Sequence, residues 1–193
     1  DLGISLVGDP SAKFCLEDWG PAIEAVERLE AGAIANPTEG RQVGHYWLRS
    51  PGVASESVRH EIESSWQQLE VLAKTISYRN IKTLLMVGIG GSALGPQLLV
   101  DALSSKACDV YFLDNTDPDG FDRVLAQIDL QTTLIAVLSK SGGTKETRNA
   151  MIEVQTVCQH QGLSFADRAV AITVTGSKLH TMASENEWLG TLP

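Results

Sequence analysis

Basic residues are scarce. Fifteen lysines and arginines stand against twenty-four aspartates and glutamates, a formal net charge of −9 over 193 residues. Nucleic acid demands a basic face, so the balance argues against it as a main partner. A small phosphorylated ligand stays open, because backbone amides and one lysine neutralise it locally. Cysteine is also scarce. Cys15, Cys108 and Cys158 are far apart, odd in number and without CxxC spacing. That is the pattern of free buried thiols in a reducing cytosol, not of disulfides or a zinc site. The four histidines, His45, His60, His160 and His180, show no metal-ligand spacing; His60 and His160 fall in helical stretches as surface or packing residues. No apolar run spans a bilayer and no signal peptide is recognised, so a membrane is not an expected partner. Repeats and low-complexity tracts are absent as well.

What is present suffices for a core: 43% of residues are hydrophobic, enough for one α/β domain plus a helical extension. Residues 1–80 read as that extension. Ile23, Val26 and Leu29 sit at helical spacing among Glu24, Glu27, Arg28 and Glu30. Gly32, Asn36, Pro37 and Gly40 break that helix, and Pro51 and Gly52 mark a loop. Val58, Ile62, Trp66, Leu69, Ala73 and Ile76 form the packing stripe expected of a long amphipathic helix over 56–77. Tyr46 and Trp47 read as core or interface aromatics.

From residue 81 the period changes. Apolar, β-branched runs at 83–89, 110–113, 133–138 and 169–175 read as buried strands. Helical stretches are expected at 94–103, 120–128, 144–161 and 178–187. Alternation of this kind implies parallel βαβ units with right-handed crossovers, and ligands in such sheets bind beyond the carboxyl ends of the strands.

Two glycine turns fall at those ends. The first, Gly88-Ile89-Gly90-Gly91-Ser92, leads into a helix carrying Pro96 in its first turn. A strand–glycine turn–helix unit turns amides toward an anion, Gly91 permits close backbone approach, and Ser92 offers a hydroxyl. A dinucleotide fingerprint is excluded because Ala93 stands where its third glycine would be. A Walker loop is excluded because no Gly-Lys-Ser/Thr follows. The second turn, Ser139-Lys140-Ser141-Gly142-Gly143-Thr144, gathers three hydroxyls and a lysine within six residues. Either they surround a phosphoryl group, or Ser141 or Thr144 simply caps the helix that follows, a task needing one hydroxyl. Asp114-Asn115-Thr116-Asp117-Pro118-Asp119-Gly120 tempts a calcium reading, but Pro118 and the lack of a properly spaced bidentate glutamate favour a turn with an N-capped helix.

The run from Gly88 to Pro96 closely resembles the first signature of the glucose-6-phosphate isomerases. Ser139-Lys140-Ser141-Gly142-Gly143-Thr144-Lys145-Glu146-Thr147 is similar to that family's second phosphate loop in its bacterial form, and the run from Phe112 to Gly120 looks like a cyanobacterial-type branch. The resemblance covers the chain from about Trp19 and matches the family's N-terminal half. It implies a sugar isomerase (SIS) domain at 81–193, a three-layer α/β/α sandwich around a five-stranded parallel sheet, preceded by the 1–80 helical extension. It implies phosphate binding through Gly91, Ser92, Ser139, Lys140, Ser141 and Thr144. The implied reaction interconverts glucose 6-phosphate and fructose 6-phosphate through a cis-enediol, without metal or nucleotide cofactor, in a cytoplasmic enzyme that is a homodimer when full length. The family's Gly-Gly-Arg-x-Ser motif, catalytic glutamate, ring-opening histidine and C-terminal lysine follow this stretch, and Glu146 matches the helix start rather than the base. No catalytic residue is therefore expected in this chain, which reads as a phosphate-binding part that does not turn over alone. A non-catalytic sugar-phosphate sensor of the same fold is the alternative, although it needs a basic helix-turn-helix arm that the acidic N-terminal region lacks. An amino-sugar isomerase domain is a third option, without the Gly-Ser-Ala-Leu-Gly-Pro run seen here.

Overall fold

The computed structural model describes residues 19–103 and 108–193, so Cys15 lies outside the described residues. These group into two compact units divided between Ser64 and Ser65. The first holds α1 (Trp19–Glu30) and a short antiparallel pair, β1 (Ile34–Asn36) and β2 (Arg41–Gln42), that the sequence reading passed over. It also holds the 3-10 turn His45–Leu48. Trp47 there is 5% exposed and meets Tyr46 edge-on at 5.6 Å, as expected of a core aromatic. A long helix, α2 (Glu56–Ser77), runs across the division and has the expected bounds. Its inner edge differs from the expected stripe: Ile62 and Leu72 are buried, while Trp66 and Leu69 are about half exposed. From Ile62 the edge continues through the half-buried Ser65, three residues on, rather than through Trp66, four residues on.

The second unit is a three-layer α/β/α sandwich. Its parallel sheet comprises β3 (Thr83–Val87), β4 (Asp109–Leu113), β5 (Thr133–Leu138), β6 (Ala169–Ile172) and β7 (Gly190–Leu192), in the order β4-β3-β5-β6-β7. The helices are α3 (Gly91–Leu103), α4 (Pro118–Leu125), α5 (Lys145–His160) and α6 (Lys178–Glu185). The main core forms on one sheet face. There Leu85, Val87, Leu113, Ile135, Val137, Ala169 and Ala171 pack on Ala150, Met151, Val154 and Cys158 of α5 and on Leu179 and Ala183 of α6. Fully burying side chains of this size stabilises by about 1.5–3 kcal/mol each, so this layer dominates the stability of the unit.

Several boundaries shift from those expected. Strand β3 ends at Val87, because Ile89 turns back to accept a hydrogen bond from Ser92 N at 3.2 Å. Strand β6 ends at Ile172, because Val174 N already binds Lys140 O at 3.3 Å and Ser177 caps α6. Strand β7 was not read from the residues, having only three and no β-branched run. Helix α3 starts at Gly91, three residues early, which puts Pro96 inside the helix instead of in its first turn. The early start follows from the amides of Ala93 and Leu94 both closing on Gly90 O, at 3.0 and 2.9 Å. Pro96 then lacks the N–H that would bind Ser92 O. No helix among the described residues is long and apolar enough to cross a membrane.

Candidate functional site

Strand order locates the site. From β3 the chain crosses to β4 on one side; from β5 it proceeds to β6 and β7 on the other. Strands β3 and β5 are neighbours in register, Val87 opposite Val137, so the switch point of the sheet lies between their carboxyl ends. Both glycine turns leave from that point. They meet at Gly88, where an added Cβ would lie 3.2 Å from Leu138 Cβ, 3.2 Å from Leu138 O and 3.0 Å from Ser92 Cβ. Close approach is therefore the role of Gly88. The left-handed residue of the first turn is Gly90, φ 60°. Gly91 is exposed, with open space where a Cβ would sit, and Ser92 follows it half-buried in the first turn of α3.

The second turn is organised by its own side chains. Ser139 is 5% exposed, so its hydroxyl works inward: it accepts from Gly142 N at 3.1 Å and donates to Thr144 Oγ1 at 3.2 Å. Ser141 Oγ accepts from Gly143 N at 3.2 Å. Gly142 has φ 65°, and an added Cβ would lie 2.3 Å from Leu179 N, so the loop is seated against the start of α6. Thr144 is the N-cap residue of α5, but its side chain makes no cap hydrogen bond. The Thr144 hydroxyl thus leaves the amides opening α5 uncapped, and a helix start lacks intrahelical acceptors for its first N–H groups. Lys140, Lys145 and Arg148 outnumber Glu146 along this stretch, in a chain that is acidic as a whole. A hydrogen bond to a charged group contributes about 1.5–3 kcal/mol, against roughly 0.3–1 kcal/mol for a charge at a helix end, so donors rather than the dipole would set anion affinity here.

Beneath the loop lies a cavity of about 20 Å³ lined by Ser139, Thr144, Thr147, Arg148, Met151 and Leu179, among others. It holds about one water molecule.

One contributor escaped the sequence reading: the turn after β6. Thr173 Oγ1 donates to Ser139 O at 2.6 Å and lies 2.7 Å from Ser177 Oγ, whose oxygen caps α6 by accepting from His180 N. This third strand end braces the second turn from behind. Its signal was in the sequence, in Thr173-Val174-Thr175-Gly176-Ser177, a third cluster of hydroxyls and glycine after an apolar run.

The acidic run after β4 forms the expected turn and capped helix. Asn115 Oδ1 accepts from Asp117 N at 2.8 Å, Asp117 caps α4 by accepting from Gly120 N at 3.1 Å, and Gln97 Nε2 of α3 donates to Asp114 Oδ2 at 2.7 Å. No group of three or more metal-ligating side chains occurs among the described residues. Cys158 is fully buried in the core, and burial raises its thiol pKa against the opposing pull of Arg168. Cys108 is half-buried, not buried as expected, because it lies just before the edge strand β4; desolvation and then Asp109 raise its pKa.

Comparison with known proteins places these features in context. Residues 19–189 match the family model described as phosphoglucose isomerase. A glucose-6-phosphate isomerase of Cyanothece sp. is 49% identical over 188 residues, 91% of this chain and 36% of that protein. One of Thermosynechococcus vestitus is 48% identical over 185 residues, 89% of this chain and 35% of that protein. Among solved structures, a glucose-6-phosphate isomerase from Chlamydia trachomatis superposes with a TM-score of 0.78 at 29% identity, over 89% of this chain and 35% of that one. The chain spans about a third of the length of the curated relatives it matches.

Proposed function

The chain belongs to the phosphoglucose isomerase family, and from that premise we propose that its two glycine turns grip the phosphate of an aldose or ketose 6-phosphate. Gly91 and Ser92 hold it from the end of β3. Lys140, Ser141 and Thr144 hold it from the end of β5, with Ser139 keeping the loop in shape. The observation that carries this reading is the helix α5, opened by a threonine whose hydroxyl does not cap it, at the switch point shared with a second turn. An oxyanion there receives the first-turn amides, the Ser141 and Thr144 hydroxyls and the Lys140 ammonium together.

The whole protein then interconverts glucose 6-phosphate and fructose 6-phosphate, in glycolysis and gluconeogenesis, as a cytoplasmic homodimer without a cofactor. Residues 81–193 form its sugar-phosphate-binding domain and residues 1–80 the extension that precedes it. Anchoring the phosphate fixes C1 and C2 relative to a base, which must lie within hydrogen-bond reach of the carbon-bound proton. Phosphate contacts are the same in ground and transition states, so they lower KM without themselves lowering the barrier. We assign no base among the residues of this chain. Residues 1–193 alone therefore bind substrate and do not turn it over.

Calorimetric titration of residues 1–193 with glucose 6-phosphate, beside a coupled fructose 6-phosphate assay, tests both halves. Binding lost in Ser141→Ala/Thr144→Ala, with no turnover, supports the reading. Absence of binding at millimolar ligand contradicts the site. Turnover abolished by Glu146→Gln would place a base inside the chain.

A further inference from the structure

The opposite end of the sheet carries a second cleft, unrelated to the glycine turns. About 310 Å³ in volume, it lies where β5 begins and is lined by Arg79, Asn80, Gln131, Thr133, Asp167 and Arg168, with Ile81, Thr132, Leu134 and Leu189 completing it. That volume lies within the range of small-molecule sites. Strand β5 has six residues, so at about 3.3 Å per residue the cleft is roughly 20 Å from the second glycine turn.

Its chemistry is dominated by fixed donors. Arg79 Nη1 donates to the main-chain oxygen of Asp167. Arg168 donates through Nε to Ser164 O at 2.8 Å and through Nη1 to Leu130 O. Both guanidinium groups are thus held by carbonyls, and neither pairs with a carboxylate among the described residues, unlike Arg41 with Glu39 and Arg123 with Asp117. A guanidinium has five N–H donors, so most of those on Arg79 and several on Arg168 remain for a ligand. The side-chain amides of Asn80 and Gln131 add donors at the same wall. The hydroxyls of Thr132 and Thr133 are already spent on Asp129. Asp167 is the one carboxylate of the lining, and it makes no ion pair with either arginine.

Two arginines held by main-chain carbonyls, neither in an ion pair among the described residues, stand out in a chain with nine excess negative charges. Holding them by main-chain carbonyls pre-organises the fork that matches a planar or tetrahedral oxyanion. We propose that this cleft is a second ligand site, taking a compact, multiply charged oxyanion: a phosphate monoester or a di- or tricarboxylate. Arg79 and Arg168 supply the charge, and Asn80 and Gln131 supply neutral hydrogen bonds. The site is distinct from the substrate's, so occupancy of one leaves the other open.

The test is amide-resolved NMR of residues 1–193 titrated separately with inorganic phosphate and with citrate, against sodium chloride at matched ionic strength. Either anion should shift the amides of Asn80, Ile81, Gln131 and Arg168 along one saturating curve, with the stronger of the two naming the ligand class. Arg79→Gln, at an exposed position, and Gln131→Glu, which adds a repelling carboxylate, should each weaken that curve at least tenfold. Neither should alter the phosphate-induced shifts at Ser141–Glu146. Ser141→Ala/Thr144→Ala should do the reverse, so failure of this site and failure of the glycine-turn site are read separately. Shifts equalled by chloride, absent with both anions, or unchanged in both Arg79→Gln and Gln131→Glu would overturn the proposal.

Discussion

The two glycine turns are built to different standards. The first turn spends its amides on itself: Ser92, Ala93 and Leu94 close on Ile89 and Gly90 carbonyls, and the helix behind it buries only Ala93 while leaving Leu94, Leu98, Leu99 and Leu103 more than half exposed. The second turn is braced by Ser139, Thr144 and Thr173 hydroxyls and seated on α6, and the helix behind it buries Thr147, Ala150, Met151, Val154 and Cys158. Similar sequence patterns thus give one lightly held turn and one rigid cradle. Rigidity matters for anion recognition, because donors fixed in advance lose little entropy on binding.

Glycine substitution should separate the turns most sharply. Gly142→Ala forces a side chain into positive φ and against the Leu179 backbone, and should destabilise by about 3 kcal/mol in urea unfolding. Gly91→Ala meets open space and should stay within about 0.5 kcal/mol of wild type. Equal losses at both positions would erase the distinction.

Removing the brace comes next. Thr173→Val removes one hydrogen bond from the Ser139 carbonyl and one from the Ser177 hydroxyl, which keep Gly142 N and His180 N as partners, and at about 0.5–1.5 kcal/mol for each bond should cost about 1–3 kcal/mol of stability, read from the same unfolding curves. No change would mean that the second turn holds its shape without β6.

Ligand affinity sharpens the comparison further. Ser141→Ala and Thr144→Ala should each weaken glucose 6-phosphate binding by about 1–3 kcal/mol, and Ser92→Ala by roughly 1 kcal/mol, in calorimetric titration. A Ser92 effect larger than both would invert the ranking of the turns.

The smallest effect is a pH dependence at the far end of α5, away from the second turn. Burial raises the Cys158 thiol above its ordinary value of 9.0, so the native state keeps a proton that the unfolded chain releases. Its contribution to stability is complete below pH 9.0 and falls as pH rises beyond it. Cys158→Ala should therefore lose less stability between pH 8 and pH 10 than wild type does; parallel losses would show that the thiol is not protected.

Much of this architecture was legible because period and punctuation agree. The run at 133–138 is a strand to the residue, and the bounds of α2 match the helical spacing that runs from Val58 to Ile76. The acidic run's capped turn was legible for the same reason, since Asp117 and Pro118 are local signals. Long-range contacts hid the rest. The packing role of Gly88 was hidden, because only strand pairing brings Leu138 beside it. Strand β7 is defined by its partner β6, not by its own three residues. At the site, the residue types were readable, whereas the inward turn of Ser139 and the brace from Thr173 depend on a sheet order that no local pattern encodes.

The central claim is that one phosphate is held jointly by two turns of unequal rigidity. A crystal structure of residues 1–193 grown with glucose 6-phosphate tests it most directly. The account predicts phosphate oxygens within hydrogen-bond distance of Thr144 Oγ1, Ser141 Oγ and the first amides of α5, with Ser92 reaching the same group from the other side. A phosphate held by the first turn alone, or bound away from both turns, would contradict it.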